Sequence, residues 1–243
     1  LYPEGVKRPE LVQSIVDERA TRKQGFSADQ TSTEFPMNPA RILADLRTAI
    51  PEDSFIVTDV GWNKNGLAQQ YDIVVPGTFV TPGGFATMGF GSPAALGVKL
   101  AAPERPVIAL IGDGGFGQNP AVLATARREQ IPVIWVVMNN NAFGTIAGLE
   151  KANFGTTYGT TFSVDDGDDM WIDYSEIARA YGIKAKRVES AEDFASVLAE
   201  ALAAGEPFLL DVPMRNIPTP TSGHWNILDI YSPEGVKGHA TTD

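Results

Sequence analysis

The chain has 243 residues, of which 43% are hydrophobic, and a formal net charge of −11. That length can bury one large α/β domain with tails. The acidic balance, with no Lys/Arg run longer than two, argues against a nucleic-acid partner, and the absence of cysteine excludes disulfides and thiol chemistry. No apolar run reaches the roughly 18 residues of a membrane span, no secretory leader is visible, and a cytoplasmic location is expected.

Residues 1–35 are polar and read as a tail or linker, with a charged helix over Leu11–Arg22 and a loop over Gln24–Glu34. The folded domain is expected over 36–212. Asn38 caps its first helix and Pro39 takes the first helical position, where a missing N–H costs nothing. Phe55–Thr58 reads as the first core strand and Thr78–Thr81 as a short one. Ser92-Pro93 starts a small-residue helix that runs to Ala101. Two apolar runs follow, Pro106–Ile111 and Pro132–Met138, both with the unbroken hydrophobicity of strands buried on two faces. The segment Asn119–Gln130 between them has helical composition. An acidic loop over 165–169 precedes a helix at Tyr174–Tyr181 and a strand at Ile183–Val188. A helix at Ala191–Ala203, stopped by Gly205, leads to a last strand at Pro207–Val212. Residues 213–243, with four prolines, read as an irregular tail or lid. Strands alternating with helices predict a doubly wound, mostly parallel sheet with helices on both faces.

The chemistry concentrates where the two apolar runs end. Gly112-Asp113-Gly114 closes the first and Asn139-Asn140 the second, with 24 residues between Gly114 and Asn139. A strand–helix–strand unit brings both motifs to one carboxyl edge of the sheet, where open α/β folds bind ligands. Asp113 offers an anionic oxygen and Asn140 a neutral amide oxygen, which suits magnesium. Gly114 and Gly115 let the backbone approach a phosphate at a helix start. Asp and Asn at strand ends are also ordinary turn residues; the pairing and spacing set this site apart.

The span Gly112-Asp-Gly-Gly-Phe116 through Asn139-Asn-Asn-Ala-Phe-Gly144 resembles the cofactor signature of the thiamine-diphosphate-dependent enzymes, the superfamily of acetolactate synthase and pyruvate decarboxylase. Gly83-Gly-Phe-Ala-Thr-Met-Gly-Phe-Gly-Ser-Pro-Ala-Ala-Leu-Gly97 is similar to acetolactate synthases above all, and Thr58-Asp-Val-Gly-Trp62 is similar to the same enzymes. The resemblance implies thiamine diphosphate and Mg2+, with the metal held by Asp113, Asn140 and the backbone carbonyl of Ala142. It implies a cofactor-binding set of Gly61, Asn63, Ala86, Met88, Gly112, Gly114, Gly115, Phe143 and Gly144. Met88 would wedge the cofactor into its bent form, and the Met88 N–H and Ala86 C=O would meet the aminopyrimidine edge. The family usually carries Gly-Gln-His where this chain has Gly61-Trp62-Asn63, so the diphosphate contacts at that place are expected to differ.

The implied activity is carboligation, cleavage or decarboxylation of 2-oxo acids or related small-molecule donors. In the family, a glutamate from a different domain activates the aminopyrimidine, and residues 1–35 cannot supply that domain. A partner chain or domain carrying the glutamate is therefore expected, with the tail favouring a separate subunit of a hetero-oligomer. A 2-hydroxyacyl-CoA lyase or oxalyl-CoA-type decarboxylase subunit is the alternative activity, and a non-catalytic structural partner the alternative class. Gly89-x-Gly91-x-x-Ala94 also fits a dinucleotide fingerprint, but no strand immediately precedes it. The acidic loop lacks the order of a calcium loop. His224, Trp225 and His239 are read as surface residues, the first two as possible parts of the lid.

Overall fold

The computed structural model describes residues 7–163 and 170–216. Six strands form one parallel sheet: β1 (Phe55–Thr58), β2 (Phe79–Val80), β3 (Val107–Gly112), β4 (Ile134–Asn139), β5 (Lys184–Arg187) and β6 (Phe208–Pro213). Their spatial order is β2-β1-β3-β4-β6-β5. The doubly wound α/β class expected from the sequence is the class observed. The winding reverses between β1 and β3, which opens a crevice at their carboxyl ends.

The central strands are apolar throughout because both of their faces are covered. On β3, Ile108 and Leu110 enter one core while Val107, Ala109 and Ile111 enter the other. On β4, Ile134, Val136 and Met138 share the first core, and Trp135 and Val137 the second. This alternation is the two-residue period of a strand. The first core is closed by α2 (Pro39–Ala49), through Ile42, Leu43 and Leu46, and by α9 (Asp193–Ala204), through Phe194 and Leu198. The second is closed by α4 (Gly91–Ala101), α6 (Val122–Glu129) and α8 (Tyr174–Ala180), through Ala95, Leu123 and Ala178. As expected, Asn38 caps α2: its side chain accepts from the Ala40 N–H at 2.9 Å.

Before the domain lies α1 (Pro9–Phe26), longer at both ends than expected and without a buried residue. The chain then makes a short helical turn over Asp29–Thr31, where a loop was expected. Asn38 Nδ2 holds Asp29 at 3.1 Å and Arg41 holds the Ser32 carbonyl at 3.0 Å. The first fully buried apolar side chain is Met37, whose backbone pairs with Met214 just beyond β6.

Two helices had not been anticipated. α3 (Trp62–Gln70) follows β1, and α7 (Gly144–Phe154) follows β4. Each contains an internal glycine, Gly66 or Gly148, and neither has a clear apolar stripe, so no periodicity announced them. Gly66 has a packing reason: a Cβ there would lie 2.2 Å from the Trp62 ring. The acidic loop at 165–169, the residues His224, Trp225 and His239, and all but the first four positions of the stretch 213–243 lie outside the described residues. Among the described residues no helix is long and apolar enough to cross a membrane.

Candidate active site

The carboxyl ends of β1, β3 and β4 converge on a cleft of about 550 Å3. Gly61, Asn63, Ala86, Met88, Gly112, Asp113, Gly114, Gly115, Asn140, Ala142, Phe143 and Gly144 all line it. The structure thus gathers every residue proposed from the sequence into one place.

β3 delivers Asp113. The strand ends at Gly112 and Asp113 starts the short helix α5 (Asp113–Phe116). The Asp113 side chain is 1% exposed. Its Oδ1 accepts from the Gly114 N–H at 2.8 Å and its Oδ2 from the Ala142 N–H at 3.2 Å. Burial pushes its pKa up to about 7; the N–H groups of Gly114, Ala142 and Asn141 pull against that shift, and the nearby Asp211 charge adds to it. A carboxylate so far from water favours a positive charge beside it.

β4 delivers the oxygens that face Asp113. After Asn139 the chain turns through Asn141, whose φ of +56° is left-handed, a conformation that asparagine tolerates well. Asn141 then holds the Phe162 carbonyl at 2.6 Å through Nδ2. The turn brings one arm of the Asn140 amide 3.1 Å from Asp113 Oδ1 and 3.0 Å from the Ala142 carbonyl. With its nitrogen inward the amide donates to both; with its oxygen inward it would share a cation with them. Magnesium binds oxygen at about 2.0–2.1 Å in an octahedron, which separates neighbouring ligands by about 2.9 Å. With the amide oxygen inward, the two separations lie close to two edges of such a shell, so the donor set of carboxylate, amide and carbonyl fits magnesium. Among the described residues no group of three His, Cys, Asp or Glu side chains could hold a metal, which leaves this carboxylate, amide and carbonyl as the candidate set.

Glycines keep the cleft open. A Cβ on Gly114 would lie 2.5 Å from the Phe143 ring, and one on Gly144 would lie 2.4 Å from the Asn140 amide. Gly61, with a φ of +95°, turns the chain from β1 into α3. The N-terminus of α3 therefore faces the cleft and favours an anion there. Asn63 is buried; its Nδ2 donates to the Val60 carbonyl at 3.1 Å, while its Oδ1 has no partner among the described residues. One of its two amide hydrogens is thus already engaged.

Sequence reasoning placed Asp59 at the edge of β1 without a role. The structure turns it away from the cleft and under the Met88 loop. Its Oδ1 accepts from the Val60 and Gly89 N–H groups at 2.9 and 3.1 Å, and its Oδ2 from the Gly91 N–H at 2.7 Å. Gly91 starts α4, so the carboxylate also meets the positive end of that helix. A Cβ on Gly115 would lie 2.7 Å from Asp59 Oδ1. Gly91 and Gly115, one from each block, therefore make room for this side chain. Above it, Met88 projects into the cleft at 37% exposure, and Phe85, three residues earlier, is 95% exposed.

Residues 59–212 match the family model described as thiamine pyrophosphate enzyme, C-terminal TPP binding domain; thiamine pyrophosphate is another name for the diphosphate. A probable acetolactate synthase large subunit of Methanococcus aeolicus is 35% identical over 183 residues, which cover 73% of this chain and 30% of that protein. A 3D-(3,5/4)-trihydroxycyclohexane-1,2-dione hydrolase of Bacillus subtilis is 30% identical over 216 residues, 86% of this chain and 33% of that protein. Among solved structures, the thiamine diphosphate-dependent 4-hydroxybenzoylformate decarboxylase of Rhodococcus jostii RHA1 superposes with a TM-score of 0.68 at 33% identity, over 76% of this chain and 34% of that one. The chain thus spans about a third of the length of the relatives it matches.

Proposed function

This chain belongs to the thiamine pyrophosphate enzymes, as their C-terminal cofactor-binding domain, and on that premise we propose that it forms the diphosphate- and magnesium-binding half of an acetolactate-synthase-like carboligase or lyase acting on 2-oxo acids. The observation that carries the metal half of this reading is the convergence of the Asp113 carboxylate, the Asn140 amide and the Ala142 carbonyl in one cleft. Asp113 would supply the only charged protein ligand to the cation. The N–H groups at the start of α3, with Gly114 and Gly115, would receive the phosphates. Met88 would support the ring system from below, with its loop held by Asp59.

Thiamine diphosphate, once bound, supplies the electron sink for making and breaking carbon–carbon bonds. This chain's part is to bind it, to orient it and to exclude water on one side. The other side belongs to a partner chain or domain that brings the activating glutamate. Two features support that reading: the chain's share of its relatives' length, and a large exposed apolar side chain, Phe85, in the same glycine-rich block as the cleft-lining Met88. Residues 36–212 would be the cofactor domain and 1–35 a linker to the rest of the assembly.

Likeness to a 2-oxo acid decarboxylase supports simple decarboxylation as the second reading. The test is to saturate the chain with thiamine diphosphate and Mg2+ and to assay it with pyruvate and with an aryl-2-oxo acid, alone and with the glutamate-bearing partner or domain. Activity is expected only in the complete assembly, and product analysis separates ligated from merely decarboxylated product. Robust turnover by the chain alone would refute the shared site.

A further inference from the structure

One buried polar network lies outside the cleft and has no place in the roles given above. It joins three neighbouring strands behind the cation-facing turn. Asp211 of β6 is fully buried in an otherwise apolar strand. Its Oδ1 accepts from Asn139 Nδ2 of β4 at 3.0 Å, and its Oδ2 from Arg187 Nη1 of β5 at 2.6 Å and from the Tyr174 N–H at 3.3 Å. Asn139 Nδ2 also donates to the Ile172 carbonyl at 2.9 Å, and Asn139 Oδ1 accepts from the Asn141 N–H at 3.4 Å. Both ends of the Asn139 amide are therefore engaged. Its own carbonyl accepts from the Met214 N–H at 2.7 Å.

We infer that Asn139, held by Asp211, which is itself paired with Arg187, is a positioning residue that sets the spacing of the cation-facing oxygens of Asn140 and Ala142. The inference rests on the magnesium reading of the cleft. The turn from Asn139 to Ala142 is held at both ends. On the β6 side Asn139 is fixed by the network. On the other side, the Phe162 N–H donates to the Asn141 carbonyl at 2.9 Å and the Phe143 N–H to the Thr160 carbonyl at 2.8 Å. Asn140 and Ala142 lie between these anchors.

The composition of the network supports a geometric purpose. A buried ion pair is costly to desolvate, and apolar side chains could fill the same space without that cost. What an apolar replacement could not do is fix the rotation of the Asn139 amide, and through it the Asn141 N–H. Magnesium needs near-ideal octahedral geometry at about 2.0–2.1 Å, whereas calcium accepts 6–8 oxygens at about 2.3–2.6 Å in flexible arrangements. A turn locked in this way favours the smaller ion.

The experiment compares Mg2+ and Ca2+ binding by calorimetry, each in the presence of saturating thiamine diphosphate, in the assembled enzyme built with the full chain and with its Asp211→Asn variant. The substitution keeps the shape but presents N–H groups to donors on one side. Mg2+ affinity should fall about 10- to 100-fold, the usual loss when a partner of a metal ligand is removed, with a smaller loss for Ca2+. The preference for magnesium should therefore shrink. A control, Phe194→Leu in the opposite core, lowers stability without touching the turn and should leave the preference unchanged. Equal losses for both ions in Asp211→Asn, or no loss, would overturn the inference. Should Asp211→Asn fail to fold, Arg187→Gln loosens the same network from its solvent-facing edge and is judged by the same two results. If the unaltered chain binds neither ion with the cofactor present, the magnesium reading itself has failed; if it binds Mg2+ and the variants keep the same preference, only the positioning role has.

Discussion

Two buried carboxylates stand at neighbouring strand ends and do opposite things. Asp59 closes β1 and Asp113 closes β3, and both are essentially inaccessible to water. Asp59 is enclosed: three backbone N–H groups, one of them at the start of α4, fill its two oxygens. Asp113 accepts one backbone N–H on each oxygen and borders the cleft beside the Asn140 amide, which can present either its nitrogen or its oxygen. Burial alone therefore does not distinguish a structural carboxylate from a ligand. The surroundings do: backbone N–H groups enclose the first away from the cleft, and the second stands in the cleft beside further potential ligand oxygens.

The largest effect is expected where the open carboxylate is removed. Asp113→Ala should weaken magnesium-dependent thiamine diphosphate binding by roughly a hundredfold or more, beyond the range typical for residues outside the ligand set. Calorimetry on the assembled enzyme measures this, and unchanged affinity would remove Asp113 from the site. Asp59→Ala should do the reverse. It strands the buried Gly89 and Gly91 N–H groups and should cost about 3 kcal/mol of folding stability, read from denaturant unfolding. Comparable metal affinity once the variant is folded would sharpen the contrast; a stability equal to that of the unaltered chain would erase it.

Met88 sits on the loop that Asp59 holds, and its effect should be smaller. Full misplacement of reacting groups by about 1 Å can cost roughly a hundredfold in rate. Met88→Ala removes the support but not the loop, so turnover of the assembled enzyme should fall by about tenfold, with cofactor affinity little changed. Weak binding with normal turnover at saturation would contradict the role.

The smallest effect concerns pH. Without a cation, burial pushes Asp113 to about 7 and Asp211 to about 6, above the ordinary 3.8. The folded chain then holds protons that the unfolded chain releases, so stability should fall as pH rises from about 4 to about 7. Asp72 and Asp173 are shifted downward and act below that window. Melting temperature in a chelator should be lower at the upper end of this range than at the lower, and Mg2+ with cofactor should narrow the gap. A melting temperature that rises with pH in the chelator would contradict the contribution of the two raised carboxylates.

What could be read from the sequence follows from how local each signal is. β3, β4 and β6 were legible because strands covered on both faces must be predominantly apolar. The Asp113 and Asn140 site was legible because its ligands sit beside those strands at a fixed separation. α3 and α7 were not, because their glycines and polar residues are chosen for close packing and for the cleft, not for helical periodicity. The partner of Asp59 could not be read because it is a set of backbone N–H groups some 30 residues away. Asp211 did leave a trace: it is a lone charge inside Phe208–Val212, and such a residue needs partners that only the sheet order supplies.

That sheet order has a consequence for assembly of the fold. β6 lies between β4 and β5 although it follows both along the chain. Until residues 208–213 have emerged during synthesis, β4 must present a bare apolar edge, and β5 has no strand to pair with. Long-range parallel pairing of this kind is intrinsically slow, and exposed strand edges invite association with other chains. The nascent domain is therefore most vulnerable to aggregation just before its last described strand arrives. A series of released chains ending on either side of position 213 should show protease resistance appearing in a single late step.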